Sequence, residues 1–231
     1  MRVDPHGVGS IMHVVKRGTR GADIVRDDKD RRHFKESLFY LNDVHKIPNF
    51  RKLEELVAPY RPQEWPERKP LVAVLAWTLM PNHFHLILEE ISDGGIAKFM
   101  QRLCGSMSAR FNARHEEKGS LFQGPYKGRI VVGDADLRWL ASYVMVKNVL
   151  ELREGGIALA VQDFDHAWKD ALEYQFSSLA VYASDGTSPL MPLASKNSII
   201  DVCGVGNAFK RNSEDMLHAF VEKAGSGEIW E

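Results

Sequence analysis

Two histidines separated by a single residue, His83 and His85, are the side chains of this sequence best suited to binding a metal ion. They lie in the apolar run Met80-Pro-Asn-His-Phe-His-Leu-Ile-Leu-Glu89. Side chains along a β-strand alternate between its two faces, so residues two apart point the same way. On a strand, both imidazoles can therefore bind one small ion, and the spacing predicts a metal site.

Two other interpretations of the histidine pair stay open at this point. A lone His-x-His on an exposed strand is more often a pair that binds nothing. Several metal-dependent hydrolases also carry His-x-His, but their commonest version continues to a nearby Asp-His, and residues 86–90 contain neither. The hydrolase interpretation therefore loses weight without being excluded.

The residues around the pair predict the strand that positions it. Alternation gives this strand one working face and one core face. The working face carries His83, His85, Ile87 and Glu89, and the core face carries Phe84, Leu86 and Leu88. Residues 71–79 form a second strand-like run, and Pro81-Asn82 supplies the turn chemistry of a hairpin. Glu89, a hard oxygen donor, is a spare ligand candidate farther along the strand.

Further elements are predicted on both sides of this hairpin. A short strand begins at Ile11 and ends in a basic turn near Arg20, and a helix with acidic capping residues follows over 27–41. Residues 46–70 contain five prolines, which favours an irregular insertion. Three later segments are an amphipathic helix over 96–111, a glycine-punctuated stretch over 119–132 that becomes a strand, and a helix over 134–148 that carries Tyr143.

Composition limits the class of protein. With 231 residues and 44% hydrophobic content, the chain can build a substantial core. No run approaches the roughly 18 apolar residues of a membrane span, and no export signal is recognisable, so we expect a cytoplasmic globular protein. Cys104 and Cys203 are too far apart in sequence to suggest a disulfide framework or a thiolate zinc site.

Charge is distributed unevenly although the net charge is only −1. Residues 95–130 hold seven Lys or Arg against two Glu, whereas residues 151–186 hold two against seven Asp or Glu. The basic segment predicts phosphate binding about as well as it predicts a solvated helix face. Within it, Phe122 and Tyr126 alternate with Lys127 and Arg129, a pattern that suits stacked bases but equally a turn with packed aromatic rings.

Taken in order, these motifs resemble the single-tyrosine HUH transposases, which are insertion-sequence transposases of the IS200-like kind, and among them the REP-associated tyrosine transposases. The resemblance covers roughly residues 11–148. It rests on Lys16-Arg-Gly18, Asp27-Asp28, Leu79-Met-Pro-Asn-His-Phe-His-Leu86, Lys98-Phe-Met-Gln101 and Leu121-Phe-Gln-Gly124.

The resemblance implies the fold class and the domain plan. The fold would be α+β, a ferredoxin-like or RRM-like antiparallel sheet with helices packed on one face. A transposase domain would span 8–150 and include the irregular insertion at 46–70. A partly helical C-terminal extension would span 151–231.

The resemblance also implies the chemistry. His83 and His85 would bind a divalent metal, Mg²⁺ or Mn²⁺, and Tyr143 would attack single-stranded DNA, leaving a covalent 5′-phosphotyrosine and a free 3′-hydroxyl. The family usually places its third ligand, Gln or Asn, four residues after the tyrosine. Here that position is Lys147, and Asn148 follows it.

The displaced asparagine leaves two roles to assign. In an unbroken α-helix Asn148 points about 140° away from Tyr143, so it can be the third ligand only if the helix bulges or ends there. Lys147 has the better direction and is a candidate catalytic residue, because its charge can lower the pKa of the tyrosine or hold the phosphate. An ordinary solvent-facing lysine is an equal alternative.

The expected partner is single-stranded or hairpin DNA, with a homodimer as a further expectation and no membrane. DNA binding would involve Lys16, Arg17, Arg20, Lys98, Arg102, Arg110, Phe122, Gln123, Tyr126, Lys127 and Arg129. Two other functions compete with the transposase. One is a domesticated DNA-binding protein that no longer cleaves, which the displaced asparagine favours, and the other is a metal-dependent hydrolase.

Overall fold

A four-stranded antiparallel sheet forms the centre of the computed structural model, which describes residues 7–46, 57–183 and 197–225. The strands follow the spatial order β2-β3-β1-β4. They are β1 (Ile11–Arg17), β2 (Val72–Leu79), β3 (His83–Glu90) and β4 (Lys127–Ile130). The predicted hairpin and the α+β fold class are confirmed.

The helices precede, separate and follow these strands. They are α1 (Asp28–Tyr40), α2 (Gly95–His115), α3 (Gly133–Ser142), α4 (Asn148–Leu150), α5 (Gly156–Ala160), α6 (Phe164–Glu173), α7 (Leu179–Ala183), α8 (Asn197–Cys203) and α9 (Asn207–Gly225). A π-helical turn, Tyr143–Lys147, connects α3 to α4. Across the three described ranges, no helix combines the length and apolar character needed to cross a membrane.

Helices α1 and α2 cover the core face of the sheet. Asp27 caps α1 as predicted, since its carboxylate accepts a hydrogen bond from the backbone N–H of Asp30 at 3.0 Å. Phe34 of α1 then packs on Phe84 and Trp77, with ring centroids 5.1 and 6.1 Å apart. The alternating apolar residues of β3 therefore have the partner that their pattern predicts.

The opposite face of the sheet, which carries the histidines, is more covered than an open working surface would be. His85 is only 3% exposed and Ile87 is fully buried. The π-turn packs over β2 and β3 on this side and brings Tyr143 against His85. The chain after residue 133 thus supplies a second layer, on the face opposite α1 and α2.

The C-terminal extension is part of the same hydrophobic core. Its segment 176–178 protects the outer edge of β2, where the Ser178 N–H donates to the Trp77 carbonyl at 2.9 Å and the Leu79 N–H donates to the Phe176 carbonyl at 2.9 Å. Phe209 of α9 packs against Tyr182 of α7 within this core.

The predicted insertion at 46–70 is only partly described, since residues 47–56 lie outside the described ranges. Residues 57–70 contain no helix or strand, as predicted. Several contacts attach them to the end of α1 and the loop after it, among them the following. Asp43 pairs with Arg61 at 3.0 Å and accepts from the Lys69 N–H at 3.3 Å, and the Tyr40 hydroxyl donates to the Tyr60 carbonyl at 2.7 Å.

The π-turn answers the question raised by the displaced asparagine. The Asn148 N–H donates to the carbonyl of Tyr143, five residues earlier, instead of four as in an α-helix. Two carbonyls within this turn accept hydrogen bonds from side-chain hydroxyls. The Thr78 hydroxyl donates to the Val144 carbonyl at 2.7 Å, and the Ser177 hydroxyl donates to the Met145 carbonyl at 3.3 Å. The helix therefore bulges between Tyr143 and Asn148, where the spacing is one residue longer than the four residues expected from the family resemblance.

Replacing Thr78 with valine tests how the π-turn is held. Thr78 is fully buried, so Thr78→Val keeps the shape of the side chain but removes a donor from the Val144 carbonyl. We expect the free energy of unfolding, measured in urea, to fall by about 1–3 kcal/mol. Thr78→Ser retains the hydroxyl and should lose less. Equal losses in the two variants would contradict the role of this hydrogen bond.

Candidate active site

The pairing of β1 with β3 determines which side chains share the histidine face. Arg17 lies opposite His83, and Val15 lies opposite His85. His13 lies two residues before Val15, so it is on the same face and diagonal to His85. The structure thereby adds a third histidine that the sequence analysis did not select.

Asn82 orients the first histidine of the pair. Its side-chain oxygen lies 2.6 Å from Nδ1 of His83, and its side-chain nitrogen donates to the Gly21 carbonyl at 3.3 Å. Since a carbonyl can only accept, the second contact fixes which end of the amide faces His83. Nδ1 of His83 must then carry the proton, which leaves the lone pair on Nε2.

Both histidines of the pair are held in the neutral form. Burial, followed by the charges of Arg17 and Lys147, lowers the pKa of His83 to about 4. Burial also places the pKa of His85 well below its ordinary value, and His13 and His83 add to the effect. Neutral imidazole is the form that binds a metal ion.

His13 contacts His85 directly. Its Nε2 lies 2.9 Å from Nδ1 of His85, and the two ring planes are nearly parallel, at an interplanar angle of 14° with centroids 5.2 Å apart. Burial and the charge of Arg129 lower the pKa of His13 to about 4. The sequence carried only a weak signal for His13, because its position relative to His85 depends on a strand register that no local pattern determines.

Tyr143 lies over the same face. Its ring is 5.8 Å from the ring of His85 and 6.2 Å from that of His13, both edge to face. Trp139, one helical turn earlier, stacks on Tyr143 with centroids 4.9 Å apart at 18°. The structure therefore brings the predicted nucleophile together with the predicted ligand His85, and adds Trp139 as a ring that restrains it.

Lys147 is an interior residue of this site and not a solvent-facing lysine. It is 6% exposed, and its ammonium lies 4.9 Å from the centre of the Tyr143 ring and 5.0 Å from that of Phe220. It also forms an ion pair with Glu151. A cation held against the tyrosine ring can stabilise negative charge that develops on the phenol oxygen or on a bound phosphate.

Asn148 is placed less clearly for the ligand role. It is 1% exposed, and its side-chain nitrogen donates to the Val144 carbonyl at 3.5 Å, within its own helix. Glu89, the spare ligand candidate, accepts from the Ser198 hydroxyl at 3.5 Å. Within the described ranges, no group of three or more His, Cys, Asp or Glu side chains is arranged so that it could hold a metal ion.

The two neutral histidines nevertheless form a donor set that fits a divalent ion. Nε2 of His83 is free of its proton because Nδ1 is bonded to Asn82. Imidazole nitrogens suit a transition-metal ion such as Mn²⁺ better than Mg²⁺, which prefers oxygen. Other ligands would come from DNA, from water or from Asn148, whose role as the third ligand stays a prediction.

The cations predicted to bind DNA fall into three groups. Arg17, Lys127 and Arg129 are exposed and share the histidine face, because Lys127 pairs with Val15 and Arg129 pairs with His13. Arg129 also forms an ion pair with Asp136 at 2.6 Å. This group borders the site.

A second group is interior. Lys16 and Phe122 are 6% and 5% exposed, and the Lys16 ammonium donates to the Gly124 carbonyl and lies 5.4 Å from the centre of the Phe122 ring. They hold the segment 121–124 against the sheet and are too buried to contact DNA. A pattern of alternating aromatic and basic residues therefore fits a packed turn as well as a binding surface.

The remaining candidates lie near this segment or near the end of β1. Gln123 is exposed, Tyr126 is half-buried, and Arg20 is exposed in the turn after β1.

The third group lies on α2, across the sheet from the histidines. Lys98 is exposed there. Arg102 is half-buried and donates to the carbonyls of Asp43 and Val44, so it supports a loop. Arg110 is also half-buried, and its charge adds to the burial that lowers the pKa of His33. The structure does not bring these three residues together with His83, His85 and Tyr143.

The lowered pKa of His83 predicts a pH dependence of stability. As the pH falls, an unfolded histidine binds its proton near 6.5, but His83 in the folded protein does so only near 4. The unfolded state therefore binds more protons in this window, and the free energy of unfolding falls from about pH 6.5 to about pH 4. Urea unfolding across this range should show a shallower fall in His83→Gln than in wild type.

The exposed His166 provides the matched control, because its side chain is 65% exposed. His166→Gln should retain the wild-type pH dependence. An identical pH dependence in His83→Gln and wild type would show that His83 is not protected from protonation.

Comparison with known proteins agrees with this geometry. The family described as "Transposase IS200 like" matches residues 66–147, which include both histidines, Tyr143 and Lys147 and end one residue before Asn148. No curated protein matches the chain. A solved structure of a REP-associated tyrosine transposase bound to a REP hairpin is similar, with 13% identity, a TM-score of 0.47 and coverage of 82% of this chain and 88% of that chain. The segment 66–147 of the chain is thus similar to the IS200-like transposase family.

Proposed function

We propose that this protein is a DNA transposase that cuts and rejoins single-stranded DNA through Tyr143. The observation that carries the proposal is the position of the Tyr143 ring, 5.8 Å from the ring of His85 on the face that also carries His83. A tyrosine and two neutral histidines form this cluster within a segment that matches the IS200-like transposase family. That combination supports phosphate-ester chemistry with a covalent intermediate.

His83 and His85 are the residues that would hold a divalent metal ion. When bound, such an ion polarises the scissile phosphate and stabilises charge on the leaving oxygen. The chain's own contribution is to keep both imidazoles neutral by burial and to fix their orientation through Asn82 and His13.

Tyr143 supplies the nucleophile in this proposal. Its phenol oxygen forms a bond to phosphorus while the bond from phosphorus to the 3′ oxygen breaks. The phenol proton passes to solvent, and the departing 3′ oxygen gains a proton. The products are a 5′-phosphotyrosine and a free 3′-hydroxyl. The same hydroxyl or that of another strand can reverse the step, so no external energy source is needed.

Lys147 and Trp139 prepare the tyrosine for this attack. The buried ammonium of Lys147 stabilises negative charge beside the ring, where the dielectric is lower than in water. Trp139 stacks on the tyrosine ring and limits its motion. The entropy lost when the ring adopts its reactive orientation is therefore smaller.

The DNA strand is proposed to lie along the exposed cations that border the histidine face. These are Arg17, Lys127 and Arg129, with Arg20, Gln123 and Tyr126 near the end of β1 or in the segment leading into β4. Lys98 and Arg102, on the far side of the sheet, are outside this path.

A DNA-binding protein that no longer cleaves is the second candidate, and one observation favours it. The Asn148 side chain bonds within its own helix, so two histidines remain as the placed protein ligands. A site with two protein ligands binds its metal less tightly than one with three. The two candidates make different predictions for a covalent adduct.

Covalent chemistry is tested with labelled single-stranded DNA from the flanks of the protein's own gene, incubated with Mn²⁺ or Mg²⁺. We expect wild type to form an adduct that resists denaturation, with more adduct in Mn²⁺. Tyr143→Phe should abolish the adduct because it removes the phenol oxygen. His83→Ala should reduce it at least 10-fold, in line with loss of a metal ligand.

Tyr60→Phe is the matched control, because Tyr60 is 63% exposed and lies in the 57–70 segment, away from the histidine face. It should form as much adduct as wild type. DNA binding without adduct or cleavage in wild type, with both metals and several flanking sequences, would favour the second candidate.

The proposed path of the DNA predicts how binding depends on salt. Each phosphate contact to single-stranded DNA contributes about 0.7 to the slope of log K against log salt concentration. Arg17→Ala and Lys127→Ala should each lower this slope by roughly that amount in Tyr143→Phe protein, measured by fluorescence anisotropy. Lys98→Ala, on the far side of the sheet, should not. A reduction in slope confined to Lys98→Ala would place the DNA on α2 instead.

A further inference from the structure

We propose that His13 is a positioning residue for His85, and that its hydrogen bond keeps Nε2 of His85 unprotonated as the nitrogen available to a metal ion. The part of this inference that concerns metal binding rests on the proposed function. The part that concerns the proton on His85 does not, since it describes the protein without metal.

The contact between the two rings is a consequence of the sheet. β1 and β3 pair so that His13 is diagonal to His85, and diagonal neighbours are within reach of long or aromatic side chains. The separation of 2.9 Å between Nε2 of His13 and Nδ1 of His85 is that of a hydrogen bond. The rings are also nearly parallel, so each restricts the rotation of the other.

A hydrogen bond between two ring nitrogens has only two arrangements when both rings are neutral. In the first, Nδ1–H of His85 donates to Nε2 of His13, and Nε2 of His85 keeps its lone pair. In the second, Nε2–H of His13 donates to Nδ1 of His85, and Nε2 of His85 carries the proton. Only the first makes Nε2 of His85 a metal ligand.

The neighbouring histidine supports the first arrangement. Asn82 accepts from Nδ1–H of His83, so the lone pair of His83 is on Nε2. If His13 accepts from Nδ1–H of His85, both members of the pair offer the same nitrogen. A ligand histidine usually donates its other N–H to an outer partner that fixes its tautomer and orientation. Asn82 and His13 would be these two partners.

His13 is better suited to this role than to direct metal binding. Its Nε2 is already engaged with Nδ1 of His85. The three histidines His13, His83 and His85 do not form a common metal site among the residues that the structure describes. Its ring also lies 6.2 Å from the ring of Tyr143, centroid to centroid, so it fills space beside the proposed nucleophile.

Nitrogen-15 NMR of histidine-labelled protein without metal tests the proton position. We expect the wild-type spectrum to show His85 protonated on Nδ1 and not on Nε2. In His13→Leu the acceptor is lost, and His85 should shift towards a mixture of tautomers. In His13→Gln the side-chain oxygen can take the place of Nε2 as acceptor, so the wild-type tautomer should be retained.

A titration with Mn²⁺, followed by electron paramagnetic resonance, measures the consequence for binding. His13→Leu should weaken Mn²⁺ binding by about 10- to 100-fold, the range typical of losing an outer partner. His13→Gln should recover most of the affinity. His166→Leu, at an exposed histidine of α6, should match wild type in both measurements.

The outcomes separate this proposal from the proposed function. Protonation of Nε2 of His85 in wild type, or an unchanged His85 tautomer in a folded His13→Leu protein, would overturn the role of His13. Equal Mn²⁺ affinity in wild type and His13→Leu would overturn it as well. Wild type that binds no Mn²⁺ but shows the expected tautomers would instead refute the metal site of the proposed function and leave the positioning of His85 supported.

Discussion

The antiparallel register of β1 against β3 is the constraint on which the site depends. With Arg17 opposite His83 and Val15 opposite His85, the face that carries the histidine pair also receives His13 and a cation. A slip of one residue would move every side chain of β1 to the other face of the sheet. Lys16 would then take the place of His13 and Arg17 beside the histidines, and His85 would lose its hydrogen-bond partner.

The π-turn connects this sheet to Tyr143, the proposed nucleophile. Its backbone hydrogen bond joins Asn148 to Tyr143, five residues apart, instead of the four residues of an α-helix. The extra residue therefore lies between these two side chains. The carbonyl of Val144 accepts from Thr78, which lies opposite His85 on the neighbouring strand. The tyrosine and the histidine are thus tied to the same pair of strands. π-turns of this kind are frequent at functional sites because they redirect side chains without breaking the helix.

Electrostatic roles are separated between the interior and the rim of the site. Burial keeps His83 and His85 neutral, and Lys147 places one positive charge beside Tyr143. The exposed Arg17 and Lys127 lie at the rim. In the proposed function, these cations would hold the DNA strand by its phosphates, and the strand would be cut in the interior of the site.

Local patterns were sufficient to predict much of this arrangement. Strand alternation predicted that His83 and His85 share a face, Asp27 marked the start of α1, and Pro81-Asn82 marked the hairpin turn. Tyr143 as nucleophile came from a family resemblance, since a half-buried tyrosine on a helix has no distinguishing local pattern. The fold places it beside His85, but its role stays a prediction.

Features that depend on distant parts of the chain were not predictable. His13 and His85 are 72 residues apart, and only the register of two strands brings them together. Phe122 belongs to an aromatic and basic pattern that suits DNA, and Lys16 is a basic residue near the end of β1, yet the fold buries both of them. The C-terminal helices gave weak local signals because they are stabilised by packing on α3 and on the edge of β2.

The most direct test of the central claim is a crystal structure of the protein with Mn²⁺, in which anomalous scattering identifies the ion. The account predicts one Mn²⁺ ion bound by Nε2 of both His83 and His85, at roughly 2.0–2.3 Å from each nitrogen, on the side of the sheet that carries Tyr143. Binding of Mn²⁺ elsewhere, with these two histidines still in contact with Asn82 and His13 but empty of metal, would contradict it.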